Sequence, residues 1–247
     1  MPKKKCQIRV GTSGWHYSHW QGPFYPDDLA KTHWLDFYTE HFDTVEVNNT
    51  FYHLPRASTF EKWRDQVPGG FLFTLKASRY ITHIKRLVDT EDAVDLFMER
   101  AELLEDKLGP ILFQLPPSYH KDLDRLETFL QIVCNRARGF FEFRHTSWYT
   151  QDTWDLLDAF GFGLCVHDLG DSAPPRVITS KQIYVRFHGS GGGRYEGKYT
   201  ASEMKDWSRW INDRPSDVTH VYAYFNNDIH GYAVENAKTL RSLLLGN

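Results

Sequence analysis

A chain of 247 residues, 25% charged and 41% hydrophobic, has the composition of an ordinary soluble globular protein and the length of one α/β barrel, for which about 250 residues is typical. The formal charge of -3 excludes a global nucleic-acid signature, so any basic site has to be local. No run of about eighteen apolar residues exists to span a membrane, and Cys6, Cys134 and Cys165 form no CxxC pair, as expected of reduced thiols in the cytoplasm.

The basic start MPKKKC leads into a strand pattern instead of an apolar leader, so neither export nor membrane insertion is expected. In chain order the predicted strands are 7–12 (QIRVGT), 44–48 (TVEVN), 70–77 (GFLFTLKA), 110–115 (PILFQL), 140–144 (FFEFR), 163–167 (GLCVH), 183–188 (IYVRFH) and 220–226 (HVYAYFN). Between them the spacing predicts helices over 29–41, 58–66, 90–108, 122–135, 150–160, 201–213 and 232–245, with Thr90 and Thr150 as start signals. Only the sixth connection, where GDSAPPR occupies 170–176, lacks a convincing helix. Eight strands alternating with helices at this length predict a single-domain TIM-like (β/α)8 barrel spanning 1–247, with its core at about 8–245.

Strand alternation sorts the residues by face, because one parity meets the helices and the other the barrel interior. The apolar parity includes Val45, Val47, Phe73, Leu75, Phe113, Phe141, Phe143, Val185 and Phe187. The opposite parity holds Arg9, Glu46, Asn48, Thr74, Lys76, Gln114, Glu142, Arg144, His167, Tyr184, Arg186, His188, Tyr222, Tyr224 and Asn226. Barrel enzymes place their active sites at the C-terminal ends of the strands. Asn48, Lys76, Gln114, Arg144, His167, His188 and Asn226 are therefore expected at one mouth, with Glu46, Glu142 and Arg186 one layer below. Glu142 with Arg144 or Arg186 also suits an ion pair that only satisfies itself inside the barrel.

Glycine-rich loops follow the first strand (GTSGWHYSHW) and the seventh (GSGGGRY), a composition that lets backbone N–H groups approach an anion, although neither matches a nucleotide fingerprint. Lys76, Arg144 and Arg186 supply the matching positive charge. Trp15, Trp20, Phe51, Tyr52 and Trp148 lie in adjoining loops with flat faces suited to a sugar or a nucleobase. His167, Asp168, His188, His230 and Glu142 are metal-ligand types, but no HExxH, HxH or cysteine quartet organises them, so no cofactor is expected, with a divalent metal as the alternative.

The blocks GTSGWHYSHW, VEVNNTFY, FQLPPS, EFRHTSW, YVRFHG and AYFNND, in this order and spacing, closely resemble the YecE-like family, domain of unknown function 72, from Ile8 to about Leu245. The matching positions are Gly11, Ser13, Gly14, Trp15, Glu46, Asn48, Phe51, Gln114, Pro116, Glu142, Arg144, Trp148, Arg186, His188, Gly189, Asn226 and Asn227. The resemblance implies a TIM-like barrel and no particular reaction. Its likeness in outline to metal-dependent barrels that cleave abasic nucleic acid or isomerise sugars is an analogy of fold alone.

The residues point first to an enzyme acting on a small anionic, sugar-like compound by hydrolysis, isomerisation or lyase chemistry. In that reading Glu142 or His188 is the acid or base, and Arg186, Arg144 and Lys76 meet the anion and the developing charge. Trp15, Glu46, Asn48, Gln114, Trp148, His167 and Asn226 complete the substrate contacts. A second reading has Trp15, Trp20 and Trp148 stack on an extruded base, which the acidic balance disfavours. A third is a metabolite-binding protein without chemistry. Composition is silent on oligomeric state.

Overall fold

The computed structural model describes residues 6–191 and 196–246; the basic start at 1–5 and residues 192–195 of the glycine-rich loop lie outside the described residues. Eight strands, β1 (Gln7–Thr12), β2 (Thr44–Val47), β3 (Leu72–Lys76), β4 (Leu108–Gln114), β5 (Gly139–Glu142), β6 (Gly163–His167), β7 (Gln182–Phe187) and β8 (His220–Phe225), form one parallel sheet in the order 1-8-7-6-5-4-3-2. Around it run α1 (Trp34–His41), α2 (Asn49–Tyr52), α3 (Ala57–Gln66), α4 (Glu91–Glu102), α5 (Leu123–Val133), α6 (Gln151–Ala159), α7 (Ala201–Asn212) and α8 (Tyr232–Leu245). The result is the TIM-like barrel that the alternation predicts. The β6–β7 connection carries only a 3-10 turn, Gly170–Ser172.

The differences from expectation have local causes. The predicted helix over 90–108 ends at Glu102 because Glu105 takes a positive φ of 54°, which breaks the right-handed run, and β4 begins at Leu108. Thr90 and Thr150 stand at the N-caps of α4 and α6 without a side-chain cap bond, whereas Asp122 caps α5 and Thr200 with Glu203 forms a capping box on α7. A π-turn at Tyr80–Ile84 has no signature in the hydrophobic spacing.

The helix-facing parity makes the main core. Val45, Val47, Phe73, Leu75, Phe113, Phe141, Phe143, Val185 and Phe187 are all buried in the layer between sheet and helices. Inside the barrel, a separate cluster of Leu112, Phe140, Cys165, Tyr184, Tyr222 and Tyr224 fills the lower part. Arg9, although of the inward parity, sits near the opposite end: it pairs with Asp43 and donates to the Gly70 carbonyl at 2.8 Å. No described helix is long and apolar enough to cross a membrane.

The barrel closes between β1 and β2, the two ends of the strand order. These strands approach so closely that a Cβ on Gly11 would lie 2.3 Å from the Thr44 carbonyl oxygen, which restricts the position to glycine. The seam is bridged by a side chain. The buried Tyr38 hydroxyl accepts from the Thr12 amide at 3.0 Å and donates to the Thr44 carbonyl at 3.1 Å, so that one phenol from α1 serves a backbone group on each strand. Tyr38→Phe leaves a buried donor and acceptor without this partner and should lower stability by about 1–3 kcal/mol. The expected outcome is a lower urea midpoint at unchanged slope; an unaltered midpoint would show that the phenol does not hold the seam.

Candidate active site at the barrel mouth

Glu46 on β2, Glu142 at the end of β5 and Arg186 on β7 point to the same interior layer, and none is more than 1% exposed. A guanidinium in such a place needs carboxylates, since desolvating an ion costs several kcal/mol. Arg186 Nε donates to both Glu46 oxygens at 3.2 and 3.0 Å, Nη2 to Glu46 Oε1 at 2.8 Å, and Nη1 to Glu142 Oε2 at 2.6 Å. Tyr184 adds a bond to Glu46 Oε2 at 2.6 Å. Just beyond β5, Arg144 pairs through Nη2 with Glu142 Oε1. Burial alone would raise both carboxyls, but Arg186 overrides it at Glu46, and Arg144 with Arg186 holds Glu142 well below the ordinary carboxylate range.

The histidines are constrained by their donors. Arg144 Nη2 donates to His188 Nε2 at 3.1 Å, and because a guanidinium cannot accept, that imidazole nitrogen carries the lone pair. Nδ1 of His188 lies 3.6 Å from Asp168 Oδ1, which also accepts from the His188 amide at 2.8 Å. Burial pushes the His188 imidazole below its usual value, with Asp168 opposing. His167 donates from Nε2 to the Phe143 carbonyl at 3.0 Å while Nδ1 accepts from the Leu169 amide at 3.3 Å, and burial lowers it to about 4. Both its nitrogens are therefore engaged, and a metal would have to displace one of those bonds. Among the described residues no three His, Cys, Asp or Glu side chains converge as a ligand set.

Lys76, the last residue of β3, is 8% exposed, with Nζ 4.2 Å from the centre of the Phe51 ring. Burial, reinforced by Arg186, lowers it to about 7. Asn48, Gln114 and Asn226 stand half-buried at the ends of β2, β4 and β8. Asn48 also lines a cleft of ≈ 420 Å³ with Gly14, Trp15, His16, Tyr17 and Trp63, formed by the segments that follow β1 and β2.

Two expected contacts are elsewhere. Trp148 is fully buried, stacked on Phe143 with its indole N–H on the Tyr119 carbonyl at 2.8 Å, and Trp20 is fully buried with its N–H on the Asp228 carbonyl at 3.0 Å. Both pack loops down, which leaves Trp15 as the tryptophan of the three beside a cleft. The glycine-rich loop has a packing reason too: a Cβ on Gly189 would lie 1.9 Å from the Glu196 carbonyl oxygen. Sequence reasoning named Asp168 only as a metal-ligand type and missed Tyr199, whose hydroxyl bonds Asp168 Oδ2 and accepts from the Gly189 amide at 2.8 Å. The one local hint was that Asp168 directly follows the inward His167.

A parallel (β/α)8 barrel with charged and amide side chains at its C-terminal mouth belongs to the architecture that hosts TIM-barrel enzymes. Over residues 9–246 the chain matches the family described as "Protein of unknown function DUF72", and it belongs to that family. It is 29% identical to the UPF0759 protein YunF of Bacillus subtilis, over 96% of this chain and 94% of that one. The UPF0759 protein YecE of Escherichia coli K12 is 30% identical over 58% of this chain and 51% of its own. A crystal structure of a DUF72 family protein from Thermotoga maritima superposes with a TM-score of 0.85 at 29% identity, covering 97% of this chain and 99% of that one.

Two stability measurements follow from this electrostatic arrangement. Arg186→Met leaves Glu46 without a cation and Glu142 with Arg144 alone, and should cost about 3–5 kcal/mol by urea denaturation, against about 1 kcal/mol or less for an exposed ion pair. Lys76 binds fewer protons folded than unfolded between about 7 and its ordinary range, so wild-type stability should climb with pH from there. Over pH 7–9 the lowered histidines and carboxylates have largely neutralised or ionised and the raised tyrosines have scarcely begun to titrate, while the Cys165 thiol, pushed well up by burial, opposes the climb above about 8 equally in wild type and variant. Lys76→Met should flatten the climb and raise stability at pH 7; an unchanged slope would contradict the assignment.

Proposed function

We propose that the protein is an enzyme acting on a small anionic, sugar-like substrate by general acid/base chemistry at the C-terminal mouth. The observation that carries this reading is the burial of Glu46, Glu142, Arg186 and His188, each at most 1% exposed, one layer beneath a rim of Asn48, Lys76, Gln114, Arg144 and Asn226. An apolar plug of similar volume would hold a barrel at least as well, so charges kept here at a cost in stability suit chemistry better than support.

The roles divide by protonation state. Glu142, deep in its ionised form between two guanidiniums, is a poor proton donor and serves as the counterion that aims Arg144 and Arg186. His188 is neutral with a carboxylate facing Nδ1, and its Nε2 lone pair, which accepts from Arg144 in the resting site, acts as the general base once the substrate's anion draws that guanidinium away. Arg144 meets the anion: its Nε is a buried donor with no acceptor among the described residues. Asn48, Gln114 and Asn226 orient hydroxyls, and the cleft beside Trp15 offers aromatic faces to the rest of a sugar-like molecule.

The test is a panel of phosphorylated and carboxylated sugars screened by thermal protection and then turnover. His188→Gln should cut turnover about 100- to 10,000-fold with binding retained, and Arg144→Leu should weaken binding. Protection without turnover across the panel would replace this reading with a metabolite-binding protein. Binding of single-stranded or abasic DNA that falls steeply with salt would replace it with a nucleic-acid site.

A further inference from the structure

Lys76 differs from the other buried cations of the mouth. Arg144 and Arg186 each hold a carboxylate, whereas among the described residues no carboxylate lies within ion-pair reach of Lys76 Nζ. Its contact is apolar, the face of the buried Phe51. The backbone is fixed on both sides: the Lys76 carbonyl accepts from Thr50 Oγ1 at 2.7 Å, and the Ala77 amide donates to the Leu112 carbonyl at 2.9 Å. A lysine whose task was to neutralise charge would sit against Glu46 or Glu142, but Arg186 and Arg144 occupy both. We infer that Lys76 is a nucleophilic amine that captures the carbonyl carbon of a small anionic aldehyde or ketone as a Schiff base. This rests on reading the mouth as the active site and names its substrate class.

The electrostatics favour the free amine. Arg186 and Arg144 repel the ammonium, Glu142 and Glu46 partly offset them, and His83, whose ring lies 4.9 Å from that of Phe51, is held neutral by burial and by Lys76 itself. With the group brought to about 7, a large fraction carries a lone pair at neutral pH, against about 0.1% or less for an ordinary lysine. In the step, that lone pair attacks the carbonyl carbon, the C=O π pair moves to oxygen, and a proton passes from nitrogen to oxygen to give a carbinolamine. The hydroxyl takes a proton from solvent and leaves as water while the nitrogen lone pair forms C=N. Amine, carbonyl and one proton thus yield a protonated imine and one water. Arg144, whose Nε has no acceptor among the described residues, stands in the same mouth to hold the anionic end.

The smallest carbonyl removes the question of access. The full-length protein is treated with limiting formaldehyde and sodium cyanoborohydride at pH 7, and methylation of each lysine is followed by peptide mass spectrometry. Lys76 should react at least about tenfold faster than the mean of the exposed lysines. Dihydroxyacetone phosphate with the same reductant should leave its adduct on Lys76, and Arg144→Leu should slow that trapping but not methylation by formaldehyde. Lys76→Arg, which keeps the charge, should abolish the adduct. Methylation of Lys76 no faster than that of surface lysines overturns the inference. If His188→Gln still abolishes turnover of a substrate, the mouth remains the active site and only the covalent role falls. If Lys76 traps carbonyls and nothing turns over, the capture stands and the catalytic reading falls.

Discussion

Arg186 cannot lie inside the barrel without the two glutamates that hold it. Its guanidinium spans from β7 to Glu46 on β2 and Glu142 on β5, strands that are not its neighbours in the sheet, so the ion cluster acts as a strut across the barrel. Planar donors on two edges of one guanidinium fix both carboxylates in orientation as well as position. Everything placed above inherits that geometry: Arg144 leans on Glu142, His188 accepts from Arg144, and Lys76 is left without a carboxylate because both are already taken.

The strut depends in turn on what lies beneath it. Leu112, Phe140 and Cys165 fill the lower barrel, with the hydroxyl of Tyr184 reaching up to Glu46 and that of Tyr224 shared between Thr44 and Thr74 at 2.7 Å each. These side chains keep water from the lower side of the cluster, which strengthens each charged contact and raises the cost of losing one. Along the axis the interior therefore passes from apolar to phenolic to ionic, and ends in a rim of amides with a lysine and an arginine. A period of two within each strand suffices to build this gradient.

That period is why much of the mouth is legible in the amino-acid sequence. Glu142 and Arg144 alternate with Phe141 and Phe143, so the face on which they emerge follows from the strand assignment alone. The partner of Arg186 does not, because contact with Glu46 is set by barrel closure and stagger between residues 140 positions apart. Trp148 illustrates a different limit: an aromatic in a loop beside the mouth reads the same whether it faces a ligand or, as here, stacks on Phe143. Tyr38 reads as an ordinary helix residue, since nothing nearby marks its hydroxyl as the bridge of the β1–β2 seam. Arg9 shares the inward parity but belongs to the other rim, a distinction of depth that alternation does not carry.

Asp168 ties the chemistry of the mouth to the loop after β7. One of its oxygens receives the His188 amide and faces the His188 ring, while the other receives the Tyr199 hydroxyl, which itself accepts from Gly189. The two described ends of that loop press together, since a Cβ on Gly197 would lie 2.3 Å from the Ser190 carbonyl oxygen, and Asn227 donates to the Gly197 carbonyl at 2.9 Å. Glycine at these positions is thus required by backbone packing, with no anion needed to explain it. The charge that faces the His188 ring is the same charge that anchors the start of the loop, so a substitution at Asp168 acts on the imidazole and on the loop together, and neither effect can be read in isolation from the other.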